Sequence, residues 1–95
     1  VTGTAGAYVL TEDLEIAETD TVNIAAGDTL SVDAGYFIGV YGRLNAVGSA
    51  VSGITLTSNA GVPAAGDWYG LYVDYNGSVN LAYCTIDYAE YGVYF

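Results

Sequence analysis

The feature that most constrains this chain is a five-residue phrase that it uses twice. Tyr69-Gly70-Leu71-Tyr72-Val73 returns 22 residues later as Tyr91-Gly92-Val93-Tyr94-Phe95. A weaker copy is Gly39-Val40-Tyr41. Gly39 lies 31 residues before Gly70, or 22 once the nine-residue stretch Ser58 to Gly66 is set aside as a loop. A period in the low twenties, carried by Gly, an aliphatic residue and an outward polar or aromatic one, is the signature of a solenoid.

The rest of the chain fits that period. Leu14 and Ile16, Val22 and Ile24, and Leu30 and Val32 are apolar pairs two residues apart, separated by acidic, Gly or Ala residues. Such short alternation predicts strands and not helix. Ala26-Gly27-Asp28 and Asp33-Ala34-Gly35 are turn signals between them. Ile16, Ile24, Val32 and Val40 are spaced by eight, and the series continues through Ala46, Ile54, Leu71, Val79, Ile86 and Val93. Three strands per turn follow. One face is expected to carry Ile16, Val40, Leu71 and Val93, a second Ile24, Ala46 and Val79, and a third Val32, Ile54 and Ile86.

The expectation is an all-β, right-handed, single-stranded parallel β-helix with three faces and three to four turns of 22–24 residues. Val1 to Ala7 reads as an extended arm, and residues 8–95 as the domain, with a loop insertion at 58–66. Ninety-five residues allow one domain. The opening at Val1 without Met is expected for a mature chain or an excised piece.

Eleven acids against one Arg and no Lys give a net charge of −10. That balance argues against nucleic acid, whose phosphates need Lys and Arg, and against anionic membrane surfaces. No apolar run is long enough to span a bilayer as a helix. Cys84 stands alone, so the chain forms no internal disulfide, and a small buried packing role is expected for it.

Four stretches carry a resemblance. They are Gly42-Arg43-Leu44-Asn45-Ala46-Val47-Gly48, then Ile54-Thr55-Leu56-Thr57-Ser58, then Gly66-Asp67-Trp68-Tyr69-Gly70-Leu71, and Leu81-Ala82-Tyr83-Cys84-Thr85-Ile86-Asp87-Tyr88-Ala89 completes the series. Over Leu30 to Phe95 the chain resembles the right-handed parallel β-helix repeats of the pectin-lyase-like superfamily. The resemblance implies an exported or surface protein, extracellular or on the cell surface. It is specific for fold, because these are core and turn positions.

A lyase of that superfamily would need a base and usually calcium, and Arg43 is the only base on offer. A glycosidase needs two carboxyl groups roughly 6.5–9.5 Å apart at most. Asp33 and Asp87 are expected two strands apart with Thr55 between, at about 9.6 Å. No catalytic residue is assigned. Glu12, Asp13, Glu15, Glu18 and Asp20 are dense but lack a calcium-loop pattern, so calcium is only weakly indicated and no metal ligand is assigned. They equally serve to keep an edge strand charged.

Tyr41, Tyr72 and Tyr94 fall one per turn on an outward face. Such a ladder is a candidate platform for sugar rings, a stack that steadies the solenoid, or a contact between subunits. Asn76-Gly77-Ser78 is a candidate glycosylation site on a turn. Tyr8, Val9 and Leu10 at one end and Gly92, Val93, Tyr94 and Phe95 at the other are the candidates for self-association, since the last strands of a solenoid present unpaired edges. The functional expectation is a non-enzymatic module that builds a homo-oligomeric filament, stalk or adhesin-type assembly. The alternative is a carbohydrate-binding domain, or a remnant of a polysaccharide-degrading one.

Overall fold

The computed structural model describes residues 2–4 and 6–94. Among them are twelve strands and no helix. They are β1 (Thr2–Thr4), β2 (Ala7–Leu10), β3 (Leu14–Ile16), β4 (Thr21–Ile24), β5 (Thr29–Val32), β6 (Phe37–Val40), β7 (Arg43–Val47), β8 (Ile54–Ser58), β9 (Gly70–Val73), β10 (Ser78–Ala82), β11 (Cys84–Ile86) and β12 (Val93–Tyr94). Turn residues cut the chain every few positions, so no strand exceeds five residues.

These strands form a five-stranded sheet β1-β2-β5-β8-β11, a four-stranded sheet β12-β9-β6-β3 and a three-stranded sheet β10-β7-β4. From β2 onward the chain visits the five-, four- and three-stranded sheets in strict rotation, and every pairing there is parallel. The protein is therefore all-β with parallel strands in its sheets, an arrangement compatible with a solenoid. One pairing differs. β1 runs antiparallel on β2, with Thr2 opposite Val9 and Thr4 opposite Ala7. The first residues, expected as an extended arm, thus include a strand folded back on their own chain.

Alternate residues of each strand point inward, and register stacks them in columns. The main columns are Tyr8-Leu30-Leu56-Ile86, Leu14-Ile38-Leu71-Val93 and Val22-Leu44-Val79. Residues of all three sheets join in one hydrophobic cluster, which includes Ile16, Ile38, Leu44, Ile54, Leu56 and Leu71. Each fully buried aliphatic side chain contributes about 1.5–3 kcal/mol relative to exposure.

The expected faces hold in which residues point inward, but not in register. Leu71 stacks on Ile38 and not Val40, and Val79 on Leu44 and not Ala46. Val32 stacks on Ser58, and Ile54 on Cys84. For Leu71, Val79 and Val32 the cause is a second insertion. Ala7 pairs with Thr29 at an offset of 22, but Thr29 pairs with Thr55 at 26, because the chain bulges between Gly48 and Gly53. Ser49 and Ser52 close that bulge by exchanging backbone hydrogen bonds at 2.9 and 3.2 Å, leaving Val51 in solvent. The other insertion begins one residue later than expected, since Ser58 belongs to β8 and is buried.

Candidate functional site

The outer surface of the four-stranded sheet is aromatic. Tyr72 and Tyr94 are register partners on β9 and β12. Ring centroids lie 6.2 Å apart for Tyr41 and Tyr72, 5.3 Å for Tyr72 and Tyr94, and 5.0 Å for Tyr94 and Tyr91. The rings meet edge-on or tilted, the arrangement their quadrupoles favour. Gly39 makes this possible on β6. A Cβ there would sit 2.9 Å from the Phe37 ring and 3.2 Å from that of Tyr41, so both rings close over the bare backbone.

A second column runs beside the first. The Tyr69 amide donates to the Tyr36 carbonyl at 2.9 Å, and the Tyr91 amide to the Tyr69 carbonyl at 3.1 Å. These three side chains are 36%, 45% and 59% exposed, whereas Tyr41, Tyr72 and Tyr94 are only half-exposed. The inner column therefore packs against itself and the outer one presents its rings to solvent. Sequence reasoning singled out Tyr41, Tyr72 and Tyr94 and missed Tyr36, Tyr69 and Tyr91. The signal was present, since Tyr opens both copies of the repeated phrase.

Electrostatics on this face are uniformly acidic. The Tyr72 hydroxyl donates to Asp74 Oδ1 at 3.0 Å, and this hydrogen bond holds the phenol's pKa above its usual value. Burial, followed by the negative potential of Tyr91, Tyr41, Tyr69 and Asp13, raises that of Tyr94. Asp13 itself accepts from the Phe37 amide at 3.0 Å.

The two ends of the column system form the other candidate surface. At one end, Tyr8, Leu14, Val22, Ile24 and Leu30 line an open cavity of about 290 Å³. At the other, Val79, Leu81, Cys84, Ile86, Ala89 and Val93 are only partly buried. Tyr8, Val9 and Leu10 do not present a free backbone edge, because β1 pairs with one side of β2 and β5 with the other. Among the described residues, the free edges at that end belong to β1, β3 and β4. Gly92, Val93 and Tyr94 lie at the opposite end, on the outer strand β12 or beside it. Phe95 lies outside the described residues.

The remaining candidates are scattered. Asn76 is exposed on the turn closed by the Gly77 amide to the Asp74 carbonyl at 2.8 Å, a position open to modification. Arg43 shares a polar surface groove with Glu18, Asp20 and Asn76. Asp33 and Asp87 are not stacked with Thr55 between them. Asp33 accepts from Asn59 Nδ2 at 2.8 Å, and the next stacked pair before Asp87 is Ile86 on Leu56. Cys84 is half-buried, its thiol donating to the Ala46 carbonyl at 3.1 Å. Among the described residues, no three His, Cys, Asp or Glu side chains gather as a metal site, and no helix is long and apolar enough to cross a membrane.

Comparison with protein-family models, curated proteins and solved structures finds no match for this chain.

Proposed function

We propose that this chain is a segment of right-handed parallel β-helix whose role is structural, with copies stacking end to end in an extracellular or surface filament, stalk or adhesin-type assembly. The observation that carries the reading is the state of the columns. Each is sealed in the middle, at Leu30, Ile38, Leu44, Leu56 and Leu71, and half-open at both ends, at Tyr8, Leu14 and Val22 and at Val79, Ile86 and Val93. A solenoid gains stability from each further turn, so apolar ends with free strand edges favour more β-structure on both. The parallel rotation through three sheets supports a β-helix, and the strong preference for right-handed crossovers supports its hand. The resemblance to pectin-lyase-like repeats supports the same fold and an exported location.

The test is sedimentation velocity over rising protein concentration, at low and high salt, with electron microscopy of the heaviest fraction. With a charge of −10, salt screening should promote growth. Concentration-dependent linear assemblies are expected. A single monomeric species at high salt and high concentration defeats the reading.

A second reading has one observation in its favour, the exposed column Tyr36-Tyr69-Tyr91. Aromatic rings with nearby carboxylate acceptors suit neutral sugar rings, and the absence of Lys and the distance of Arg43 from this sheet disfavour acidic ones. Retention on neutral but not acidic polysaccharide, lost in Tyr69→Ala, tests it. Equal retention of Tyr69→Ala and parent removes it. Polysaccharide cleavage is disfavoured because Asp33 and Asp87 fall on different register columns.

A further inference from the structure

We infer that end-to-end docking joins β11 of one copy to β2 of the next, and β12 to β3, and that it requires β1 to leave the edge of β2. The inference rests on the structural reading above and names its partner, a second copy of this chain, and its contact surface.

At the β3 end, the four- and three-stranded sheets stop at β3 and β4, in the same turn as β2, while β1 stands one level further out on the five-stranded sheet. At the opposite end, β11 and β12 share a turn, and β10 lies one level below them. Strands in a sheet are about 4.8 Å apart. A second copy approaching along the axis is halted when β11 meets β1. At that point β12 and β3 are still separated by the width of one strand, and β10 and β4 by two. The apolar ends stay wet.

With β1 released, two sheets close at once. Ile86 then continues its column onto Tyr8, and Val93 continues onto Leu14, the residues that line the open cavity. Outside, Tyr94 falls at the level of Glu15, whose register column reaches it through Gly39 and Tyr72, so a phenol donor meets a carboxylate acceptor. One strand-wide opening remains between β10 and β4. In every turn a strand of the three-stranded sheet precedes one of the five-stranded sheet, as β4 precedes β5 and β7 precedes β8, so the released segment runs towards that opening.

β1 is suited to letting go. It is held by three register pairs, Thr2 with Val9, Gly3 with Tyr8 and Thr4 with Ala7. Gly6, at φ +90°, makes the reversal, and its carbonyl accepts from the Thr29 amide at 2.8 Å, so β2 stays anchored on β5 when β1 swings away. Antiparallel on an otherwise parallel sheet, β1 is an edge guard of the kind that keeps open strands from pairing prematurely.

The test locks and removes this strand. Thr2→Cys with Val9→Cys, in a Cys84→Ser background, places a thiol pair at register partners, and mass analysis verifies that the disulfide is internal. The oxidised protein should stay monomeric at concentrations where the parent assembles, and reductant added to the same sample should restore assembly. A chain lacking residues 1–5 should assemble at a concentration at least tenfold lower than the parent. Oxidised and reduced forms assembling alike, or a deletion that needs as much protein as the parent, overturns the inference while leaving the structural reading intact. If the parent, the reduced form and the deletion all remain monomeric, the structural reading fails and this inference falls with it.

Discussion

The indole Nε1 of Trp68 donates to the carbonyl of Asp87 at 2.9 Å, joining the exit of the long loop to the turn stacked beyond it. Trp68 is fully buried, bridges to Ala89, and its own carbonyl accepts from Glu90 at 2.8 Å. The side chain thus fills the core and fixes the distance between two turns. Trp68→Phe keeps most of the apolar volume and leaves the Asp87 carbonyl unpaired, a cost of about 1–3 kcal/mol. Trp68→Ala adds a cavity, for about 3–5 kcal/mol. Urea denaturation should rank parent, Phe and Ala in that order. Equal midpoints for parent and Phe would show that the hydrogen bond contributes nothing.

Ile54 is fully buried beside Cys84 in the five-stranded sheet. Ile54→Asp sets an unpaired charge among aliphatics, with a cost of several kcal/mol at neutral pH. A domain of ordinary stability, about 5–15 kcal/mol, would be largely or wholly lost. Circular dichroism should show collapse of the thermal transition, and a parent-like melt would contradict the inward placement of Ile54.

How much of this was legible in the sequence follows from what each signal encodes. The alternation Leu30-Val32 or Ile54-Leu56 reports which side chains face inward, because strand geometry has a period of two and nothing else satisfies it. Register is a different quantity. It depends on how many residues each corner absorbs, and Gly48 to Gly53 looks like any polar corner until Ser49 and Ser52 are seen to close on each other. Ser58 reads as loop because it is polar. It sits instead on a core column, where its hydroxyl donates to Asp67 Oδ2 at 2.7 Å and accepts from the Ala60 amide at 3.0 Å. The Asn23-Asn45 contact, at 3.1 Å with Asn80 next in register, is likewise invisible until strands are aligned. The tyrosine repeat was legible as a pattern, but which column faces solvent depends on Gly39 and the rings folded over it.

Gly42 tests how tightly the corners stack. A Cβ there would collide with the carbonyl oxygens of Ala17 and Asp20, the corner of the turn below, while the Gly42 amide donates to Ile16 and its carbonyl accepts from Ser78. No flexible side chain is available to yield. Gly42→Ala should cost about 2–4 kcal/mol, the range of severe core and backbone defects. Gly61→Ala, in the long loop with nothing near its Cβ, should stay within about 0.5 kcal/mol of the parent. Similar urea midpoints for the two variants would disprove close corner stacking.

The Tyr72 phenol is held above its usual pKa of 10.0, chiefly by its hydrogen bond to Asp74. A raised folded value means that the neutral form is favoured in the folded state. The resulting stability is complete below the unfolded pKa and lost as pH rises through the folded one. A pH titration that resolves Tyr72 should therefore show it ionising above the usual phenol value of 10.0. Asp74→Asn should bring its titration down towards 10.0. No change in the titration of that variant would show that Asp74 is not the cause.

Asp67 provides the opposite sign at the opposite end of the pH scale. Its carboxylate accepts from the Ala64 amide at 2.9 Å and from the Ser58 hydroxyl at 2.7 Å. Both favour the charged form, the Ala64 bond more strongly, and they hold the pKa below the usual carboxylate value of 3.8. A depressed folded value gives stability that is present above the unfolded pKa and lost as pH falls through the folded one, so the window lies below pH 3.8. Within that window the carboxyl accepts more weakly once it is protonated, and the anchor that ties residues 58, 64 and 67 together loosens. Ser58→Ala removes one of the two donors, so it should weaken the protein at pH 7. Its difference from the parent should then narrow as pH falls through the window and the parent's carboxylate takes up a proton. Urea unfolding of both proteins at pH 7 and at pH 2.5 measures that difference. A gap of equal size at both pH values would mean that Ser58 acts only through packing and its bond to Ala60, and that the charge on Asp67 plays no part in holding the loop.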